Sequence, residues 1–458
     1  MEWQEKKVIV LGAGRSGQAA VKKLQRLGAE VFLFDQKNKE ELAGIEELGL
    51  DAGHLLLGRM PEWSDIQPEL VVLSPGVPPG ISIVRESLAA GRPVWSEVEL
   101  AMRDCVATCV GITGTNGKTT TTTLIGKLAQ RTGRPSLVAG NIGLALSGTV
   151  ENVGKDGIVV AELSSFQLEF ISKLRVNIAV ILNITPDHLD RHGSLENYIA
   201  AKARILENQT PEDLAVLNWD DPFVRALGSR SKGKVIYFSP SSLLEKSLGL
   251  QGDQIVYAEQ GEVIPILARQ ELQIRGSHNL ENVMAAAAAA HELGLSWTEI
   301  ALGLREFQGV EHRQENVGTY DGILFINDSK GTNTDAAEKA ILAFAEPLVL
   351  IAGGKNKGLD FHDFMKVVSS RVKSLILLGQ AADEMEDAAK AAGVARILRA
   401  SFFAEGVELA IAEAVPGDVV LLSPACTSWD MFKSYEERGE LFKQLVRKHF
   451  ENPSSLSG

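Results

Sequence analysis

The sequence is poor in several features that mark particular classes of protein. Its three cysteines in 458 residues, Cys105, Cys109 and Cys426, are too scattered for a disulfide framework and form no Cys-x-x-Cys pair for zinc. Lys and Arg number 46 against 59 Asp and Glu, so the net charge is −13. A general nucleic-acid or anionic-membrane binder needs the opposite balance. No apolar run approaches the roughly 18 residues of a membrane span. We therefore expect a protein of the reducing cytoplasm with no nucleic-acid or membrane partner.

What is present is a globular composition of 45% hydrophobic and 23% charged residues. At about 150 residues per domain, the length predicts roughly three domains. Short Val/Ile/Leu strands alternate with amphipathic helices, as in parallel α/β sheets. In the first part we predict strands over residues 7–11, 30–34 and 69–73, and helices over residues 17–27 and 39–48.

The strongest local motif is a glycine-rich phosphate loop, residues 111–120, between an apolar strand and a threonine-rich helix start. Glycines let backbone N–H groups converge on an anion at a helix N-terminus. Lys118 can reach β- and γ-phosphate oxygens, and the Thr119 hydroxyl can bind Mg²⁺. Ile112 stands where the full P-loop pattern has glycine, so a purely structural turn is the alternative.

A second glycine-rich turn, residues 12–17, follows the first strand, and Asp35 ends the second. The pair fits a dinucleotide-binding fingerprint with its ribose-binding acid. The ligand of this turn is either NAD or another diphosphate, and a purely structural turn without a ligand is the third alternative.

Glu162 and His188 each follow a predicted apolar strand, so both are expected at the sheet edge that carries the phosphate loop. Glu162 is a candidate Mg²⁺ ligand, because Mg²⁺ takes one or two carboxylates with phosphate oxygens and water. His188 is a candidate ligand or base, or a hydrogen-bonded structural residue.

Several motifs in a fixed order make the chain resemble the Mur ligases over essentially its whole length. They are the phosphate loop, the Glu162 strand end, Asp187-His188-Leu189-Asp190, Tyr198-x-x-x-Lys202, His278-Asn279-x-x-Asn282, Glu311-His312-Arg313 and Asn327-Asp328-Ser329-Lys330-Gly331-Thr332-Asn333. The resemblance implies an α/β protein of three domains. These are a Rossmann-like N-terminal domain (1–97), a central P-loop ATPase-like domain (98–308) and a Rossmann-like C-terminal domain (309–458).

Within the family, the chain is most similar to ligases that add D-glutamate to UDP-N-acetylmuramoyl-L-alanine. The N-terminal turn with Ser74-Pro75-Gly76-Val77 and a C-terminal Leu422–Lys433 motif carry this resemblance. It implies an ADP-forming enzyme of cytoplasmic peptidoglycan precursor synthesis that works through an acyl phosphate. The expected form is a monomer.

The resemblance also implies roles for individual residues. Lys118, His188 and Lys202 are expected to be catalytic, with ATP and two Mg²⁺ ions as cofactors. The expected ATP contacts are Gly114, Thr115, Asn116, Gly117, Lys118, Thr119, Thr120, Asn279, Arg313, Asp328 and Lys330. The expected metal positions are Thr119, Glu162, His188 and Lys202.

By position, Lys202 resembles a family lysine that CO₂ converts to a carbamate. The alternative is an ordinary solvent-exposed lysine on a helix, because most lysines in folded proteins are exposed. The expected UDP-substrate contacts are Ser16, Asp35, Gln36, Lys37, Gly76, Asn141 and His188. The expected D-glutamate contacts are Thr332, Lys357, Ser428 and Tyr435. Lys355, two residues away, is the alternative to Lys357 for the D-glutamate contact. Trp429 and Tyr435 differ from the residues that relatives carry at the same positions.

Three other functions compete with this interpretation. An NAD oxidoreductase would use residues 12–17 but leave the phosphate loop without a role. A nucleotide-gated scaffold would bind ATP without turnover. Another Mur ligase or a folylpolyglutamate synthase-like enzyme would share the central and C-terminal domains.

Overall fold

The computed structural model describes residues 3–451, apart from the side chain of Asp190. The chain divides into two compact units. The first contains residues up to Arg269 with Glu281–Leu304, and the second contains Gln270–Leu280 and residues from Arg305 onward.

Three sheets with intervening helices lie in these units, which confirms the predicted α/β class. The domain boundaries at residues 97 and 308 stay predictions. Among the helices of residues 3–451, none has both the length and the hydropathy to cross a bilayer.

The first sheet has five parallel strands in the order β3-β2-β1-β4-β5. The strands are β1 (Lys7–Leu11), β2 (Glu30–Asp35), β3 (Leu55–Leu57), β4 (Leu70–Leu73) and β5 (Val94–Ser96). The helices are α1 (Arg15–Arg26), α2 (Trp63–Ile66), α3 (Ser82–Ala89) and α4 (Glu97–Met102). The order changes direction between β1 and β4, and open α/β sheets bind ligands at such a point.

Both faces of this sheet are buried, which explains its continuous apolar strands. Val8 and Val10 of β1 belong to the hydrophobic cluster that contains α1, whereas Ile9 and Leu11 belong to the cluster that contains α3. Because successive side chains point to opposite faces, every β1 position from Val8 onward must be apolar.

The predicted helix over residues 39–48 is wrong. This stretch forms two 3₁₀ turns, Lys39–Glu41 and Glu46–Leu48. Gly44 lies between them with a φ of +79°, a left-handed conformation that ends a helix. Asn38 and Glu41 form a capping box, so the first turn starts as a helix does, but it ends at Leu42, whose backbone is extended with a φ of −118°.

The second sheet has nine strands in the order β14-β13-β12-β11-β10-β9-β6-β8-β7. The strands are β6 (Thr108–Thr113), β7 (Ser136–Gly140), β8 (Ile158–Glu162), β9 (Ile178–Ile181), β10 (Leu214–Asn218), β11 (Lys234–Ser239), β12 (Ser247–Gln251), β13 (Gln254–Glu259) and β14 (Glu262–Ala268). The helices are α5 (Lys118–Gln130), α6 (Ser165–Leu168), α7 (Leu189–His192), α8 (Leu195–Ala203), α9 (Pro222–Ala226), α10 (Ser277–Glu292) and α11 (Trp297–Glu306).

Strand β6 lies between β8 and β9 and is parallel to both. The loops that follow these three strands therefore emerge at one edge of the sheet. The β12–β13 and β13–β14 pairs are antiparallel, a departure from the expected parallel pattern that extends the sheet on the side away from β6.

The third sheet, in the second unit, has six strands in the order β15-β16-β20-β17-β18-β19. The strands are β15 (Glu315–Tyr320), β16 (Ile323–Asn327), β17 (Leu348–Gly353), β18 (Val372–Leu378), β19 (Ile397–Arg399) and β20 (Val419–Leu422). The helices are α12 (Thr334–Leu342), α13 (His362–Arg371), α14 (Ala382–Ala391), α15 (Phe403–Glu413) and α16 (Tyr435–Glu451). All neighbours except β15 and β16 are parallel.

A buried carboxylate ties α4 to the chain before β9. The fully buried Glu99 accepts hydrogen bonds from the main-chain N–H groups of Ser172, Lys173 and Leu174 at 2.8–3.1 Å. The Arg103 Nε donates a further bond at 3.0 Å. The Glu99 side chain thus provides hydrogen-bond acceptors for three main-chain N–H groups that have no partner within a strand or helix.

We expect Glu99→Gln to lower the free energy of unfolding by about 3 kcal/mol, because the amide cannot accept all of these charge-assisted bonds. Urea unfolding followed by far-UV circular dichroism measures the loss. Glu86→Gln, at an exposed position on α3, is the matched control and should change little. Equal midpoints for the two variants would contradict the assignment.

Candidate active site

The phosphate loop leaves β6 and enters α5 through two glycines in conformations that other residues rarely adopt. Gly114 has a φ of +151° and Gly117 a φ of +84°. A Cβ atom at Gly117 would lie 2.2 Å from the Asn282 Oδ1. Only glycine fits there without displacing Asn282, whose Oδ1 also accepts a hydrogen bond from Thr121.

The segment after β9 holds the phosphate loop in place. The Asn183 side chain accepts from the Asn116 N–H at 2.8 Å and donates to the Asn116 carbonyl at 3.1 Å. The Thr115 N–H donates to the Asn183 carbonyl at 2.8 Å. The Thr115 Oγ1 exchanges hydrogen bonds with the backbone of Thr185. Sequence reasoning missed Asn183, and the only signal was its position at a strand end beside the loop.

Two lysines converge on one carbonyl of this loop. The Lys118 Nζ lies 2.8 Å from the Gly114 carbonyl oxygen and 2.7 Å from that of Thr115. The Lys202 Nζ donates to the same Gly114 oxygen at 2.7 Å. Lys202 is 1% exposed, so the exposed-lysine alternative is wrong.

Burial, and then the charge of Lys118, hold the pKa of Lys202 well below its ordinary value, although Asp187 and Glu162 act in the opposite direction. A neutral amine is therefore accessible at Lys202. The Tyr198 ring centre lies 4.5 Å from the Lys202 Nζ, and the Tyr198 hydroxyl lies 3.2 Å from the Thr115 Oγ1. Burial raises the pKa of Tyr198, which favours the neutral hydroxyl.

Glu162 ends β8 and is buried at the same sheet edge. Its Oε1 accepts a hydrogen bond from the Asn141 Nδ2 at 2.9 Å, whereas its buried Oε2 has no hydrogen-bond partner among the described residues. An orphaned carboxylate oxygen suits a cation. Within residues 3–451, no three His, Cys, Asp or Glu side chains cluster as a metal site, so a cation here would need oxygens from a ligand or water.

His188 has a left-handed backbone with a φ of +52° and precedes α7. Its Nε2 lies 3.6 Å from the Asp187 Oδ2, and its ring centre lies 4.9 Å from that of Phe166. His192 stacks on Phe166 at 5.5 Å between ring centres and is tilted against Tyr198 at 5.2 Å. An aromatic cluster thus links α6, which follows β8, to α8, the helix that carries Lys202.

The first sheet carries a cavity of about 570 Å³ at the carboxyl ends of β1, β2 and β4, which we call the nucleotide cavity. Five residues from this part of the chain are expected to contact the UDP substrate, and all five line the cavity: Ser16, Asp35, Gln36, Lys37 and Gly76. Its lining also contains Met60 and Ile81, which the motifs did not indicate. Asn141, predicted to contact the muramoyl substrate, donates a hydrogen bond to Glu162 at the edge of the second sheet.

Asp35 shapes this cavity through the backbone. Its Oδ2 accepts from the Ala13 N–H at 2.7 Å and its Oδ1 from the Lys37 N–H at 2.9 Å. Gly17 is obligatory, because a Cβ there would lie 1.8 Å from the Gly12 carbonyl oxygen. Asp35 therefore fixes the glycine-rich turn, a role that the ribose interpretation did not include.

In the second unit, Asp328, predicted at the ATP site, directly follows β16. Asp328 is buried, and it accepts hydrogen bonds from the Ser423 hydroxyl at 2.7 Å and the Gln314 N–H at 3.2 Å. Burial raises the pKa of Asp328 to about 6, against the opposing charge of Arg313. The buried Nε of Arg313 has no hydrogen-bond partner among the described residues.

The other predicted residues of this unit have varied surroundings. The Lys330 Nζ lies 5.2 Å from the Tyr435 ring centre, and the Asn279 Nδ2 donates to the Arg275 carbonyl at 2.7 Å. Of the residues predicted for D-glutamate, Ser428 is buried, Thr332 and Tyr435 are half-buried, and Lys357 is exposed. Lys355 is also exposed, but its backbone pairs with that of Thr427.

Sequence reasoning missed Arg438, a fully buried arginine on α16. Its Nε and Nη2 donate to the hydroxyl and carbonyl of Ser329 at 2.9 and 2.8 Å, and its Nη atoms reach the Cys426 carbonyl. Burial lowers its pKa to about 10. It joins the loops after β16 and β20, and no sequence signal separates it from the exposed charges of α16.

Three family models match successive parts of the chain. They are the Mur ligase MurD-like N-terminal domain (6–96), the Mur ligase middle domain (112–290) and the Mur ligase glutamate ligase domain (312–426). The UDP-N-acetylmuramoylalanine–D-glutamate ligase of Desulfitobacterium hafniense (strain Y51) is 66% identical over 99% of this chain and 100% of its own. The chain belongs to the Mur ligase family.

A second Mur ligase with the same name, from Pelotomaculum thermopropionicum, is 49% identical over 97% of this chain and 98% of its own. Two solved structures from Thermotoga maritima share the fold. The UDP-N-acetylmuramate–alanine ligase MurC has a TM-score of 0.59, with 20% identity and coverage of 96% and 99%. The MurF ligase in complex with ADP has a TM-score of 0.61, with 18% identity and coverage of 97% and 96%.

Gly117→Ala tests the phosphate loop of this Mur ligase. We expect the affinity for ATP to fall at least about tenfold, because the Cβ strains the backbone and displaces Asn282. Isothermal titration with a non-hydrolysable ATP analogue measures the loss. Gly133→Ala is the matched control, since Gly133 also has a positive φ, +73°, but open space around its Cβ position. Retained affinity in Gly117→Ala would contradict the role of the loop.

Proposed function

We propose that this protein is the ATP-dependent ligase that joins D-glutamate to UDP-N-acetylmuramoyl-L-alanine in peptidoglycan precursor synthesis. The observation that carries the proposal is the 66% identity, along the full chain, to an enzyme named for this reaction. The paired lysines at the phosphate loop supply a chemical reason for it, because a carboxylate that attacks ATP brings two anions together.

The proposed reaction has two chemical steps. A carboxylate oxygen of the muramoyl substrate attacks the γ-phosphorus, the bond to the β-γ bridging oxygen breaks, and ADP leaves. The amine of D-glutamate then attacks the acyl carbon, loses a proton, and inorganic phosphate leaves as the amide forms. Lys118, which now bonds to the Gly114 and Thr115 carbonyls, would exchange these bonds for phosphate oxygens. Residues 114–120 present the backbone amides that hold the phosphates.

Mg²⁺ would be held by the orphaned Oε2 of Glu162 and by the Thr119 hydroxyl, with His188 near a second ion. When bound, the metal supplies neutralising charge for in-line transfer. The buried Lys202 would serve as a further ligand after N-carboxylation, which its lowered pKa favours because CO₂ reacts with the neutral amine.

The nucleotide cavity would take the uridine diphosphate of the muramoyl substrate, through Ser16, Asp35, Gln36, Lys37 and Gly76. Its glycine-rich turn and the lysine at its rim suit a diphosphate. Asn141 and His188 would contact the muramoyl part.

Further ligand contacts are proposed for residues of the second unit. Asn279, Arg313, Asp328 and Lys330 would bind ATP, and the unpartnered Nε of Arg313 leaves a buried donor for an acceptor on a ligand. Thr332, Lys357, Ser428 and Tyr435 would bind D-glutamate, whose two carboxylates need a cation and hydroxyl or amide donors. We further propose that the enzyme acts in the cytoplasm as a monomer.

The acceptor is tested by phosphate release with Mg²⁺, ATP and UDP-N-acetylmuramoyl-L-alanine. We expect turnover with D-glutamate and at most about 1% of that rate with L-glutamate, L-alanine, meso-diaminopimelate or L-lysine. L-Alanine and L-lysine lack the second carboxylate and leave its anchor unpaired. L-Glutamate and meso-diaminopimelate have both carboxylates but cannot place them on the two anchors while the reacting amine faces the acyl carbon. Lys118→Ala, which should be inactive, controls for contaminating ATPases. Equal stimulation by L-glutamate would disprove the stereochemical assignment, and no ATP consumption would disprove the function.

Lys202→Ala tests the proposed metal-side role of this lysine. We expect kcat to fall by about 10²-fold or more at saturating substrates and ordinary CO₂. A carbamate signal from ¹³C-labelled bicarbonate should appear in the NMR spectrum of the unchanged protein and be absent from the variant. Lys232→Ala, at an exposed lysine bonded to the Glu207 carbonyl, is the control. Unchanged turnover in Lys202→Ala would contradict the role.

A further inference from the structure

Arg191 joins two loops that belong to different sheets. It lies on the short helix α7, and its side chain is 13% exposed. Its Nη1 donates to the carbonyls of Pro75 and Val77, both at 3.1 Å. These residues flank Gly76 in the loop after β4, and all three line the nucleotide cavity.

Further contacts fix the guanidinium on the side of the central sheet. The Arg191 Nη2 lies 3.3 Å from the Glu169 Oε2, and the guanidinium carbon lies 4.1 Å from the Phe166 ring centre. The same Phe166 ring lies 4.9 Å from that of His188. The Arg191 main-chain N–H donates to the His188 carbonyl at 3.1 Å. Arg191, itself part of the His188 segment (residues 187–192), therefore contacts the cavity loop, helix α6 and the Glu169 that follows α6.

The cavity loop is suited to this kind of restraint. Residues 75, 78 and 79 are prolines, which have no N–H to donate. Within the loop, the Val77 N–H donates to the Ser74 carbonyl at 3.0 Å. The carbonyls of Pro75 and Val77 point outward to Arg191 instead. A planar guanidinium with several donors can hold two carbonyls and a carboxylate at once, which an ammonium cannot do in the same geometry.

We propose that Arg191 is a positioning residue that couples occupation of the nucleotide cavity to the conformation of the His188 segment. A ligand diphosphate that orders the cavity loop also orders the Pro75 and Val77 carbonyls. Arg191 transmits this order to residues 187–192, which adjoin the phosphate loop through Thr185 and Tyr198. The inference rests on the proposed function in one respect, that the cavity takes a uridine diphosphate.

The test uses the full-length protein with UDP as the probe. Isothermal titration gives the Kd for UDP, and hydrogen–deuterium exchange of a peptide covering residues 185–193 is measured with and without saturating UDP. In the unchanged protein, UDP should slow exchange in this peptide. In Arg191→Ala, the Kd should rise about tenfold through loss of two charge-assisted bonds, and saturating UDP should no longer slow exchange. Arg191→Lys should restore part of the affinity but not the full protection.

Arg134→Ala is the matched control. Arg134 also bonds main-chain carbonyls, those of Asp156 and Gly157, at the amino end of β8. This variant loses similar hydrogen bonds but should keep the Kd for UDP and the exchange response. The apparent KM for ATP and the thermal unfolding midpoint of Arg191→Ala should stay near those of this control, which separates positioning from general destabilisation.

Wild-type affinity for UDP in Arg191→Ala, or protection of residues 185–193 that persists in it at saturating UDP, would overturn the inference and leave the proposed function intact. Failure of the unchanged protein to bind UDP would instead contradict the proposed use of the cavity, and the inference with it.

Discussion

The main-chain oxygen of Gly114 is the point on which the central site depends. Lys118 and Lys202 both donate to it, from 2.8 and 2.7 Å. Burial and the neighbouring ammonium of Lys118 together disfavour the charged form of Lys202. In the proposed reaction, a phosphate that drew Lys118 away from the shared oxygen would relieve this repulsion.

Polar side chains that satisfy backbone groups recur throughout the protein. The Asn183 side chain forms hydrogen bonds with both the N–H and the carbonyl of Asn116. The Asp35 carboxylate accepts hydrogen bonds from two main-chain N–H groups in loops of the first sheet. The Arg438 guanidinium donates to the carbonyls of Ser329 and Cys426. Each acts at the carboxyl end of a parallel strand, where the chain leaves the sheet and its backbone loses its ladder partners. Because an unpaired buried polar group is costly, these side chains confine the loops to few conformations. Loops held in this way are organised before a ligand arrives.

The motifs predicted from sequence were those with local physical causes. Glycines at positive φ, a lysine at a helix start, and Glu162 at a strand end all follow from short-range rules, and the strand order β9-β6-β8 places them at one edge. The helix predicted over residues 39–48 is absent because the backbone is extended at Leu42 and left-handed at Gly44, although the pattern of apolar residues has helical periodicity. The antiparallel strands β12, β13 and β14 were not predicted. The alternation of strands and helices indicates parallel strands, whereas these strands are joined directly by short turns.

The sequence by itself determined the α/β class and the two glycine-rich loops, because each depends on residue type within a short window. The family and the predicted site residues followed from a resemblance carried by several motifs in a fixed order along the chain. Only the tertiary structure decided that Lys202 is buried against Gly114, that both oxygens of Asp35 are engaged by backbone amides, and that Arg191 reaches from one sheet to the loop of another. Burial and long-range hydrogen bonds depend on which segments pack together. That packing comes from the summed contacts of the whole chain, which no local pattern contains.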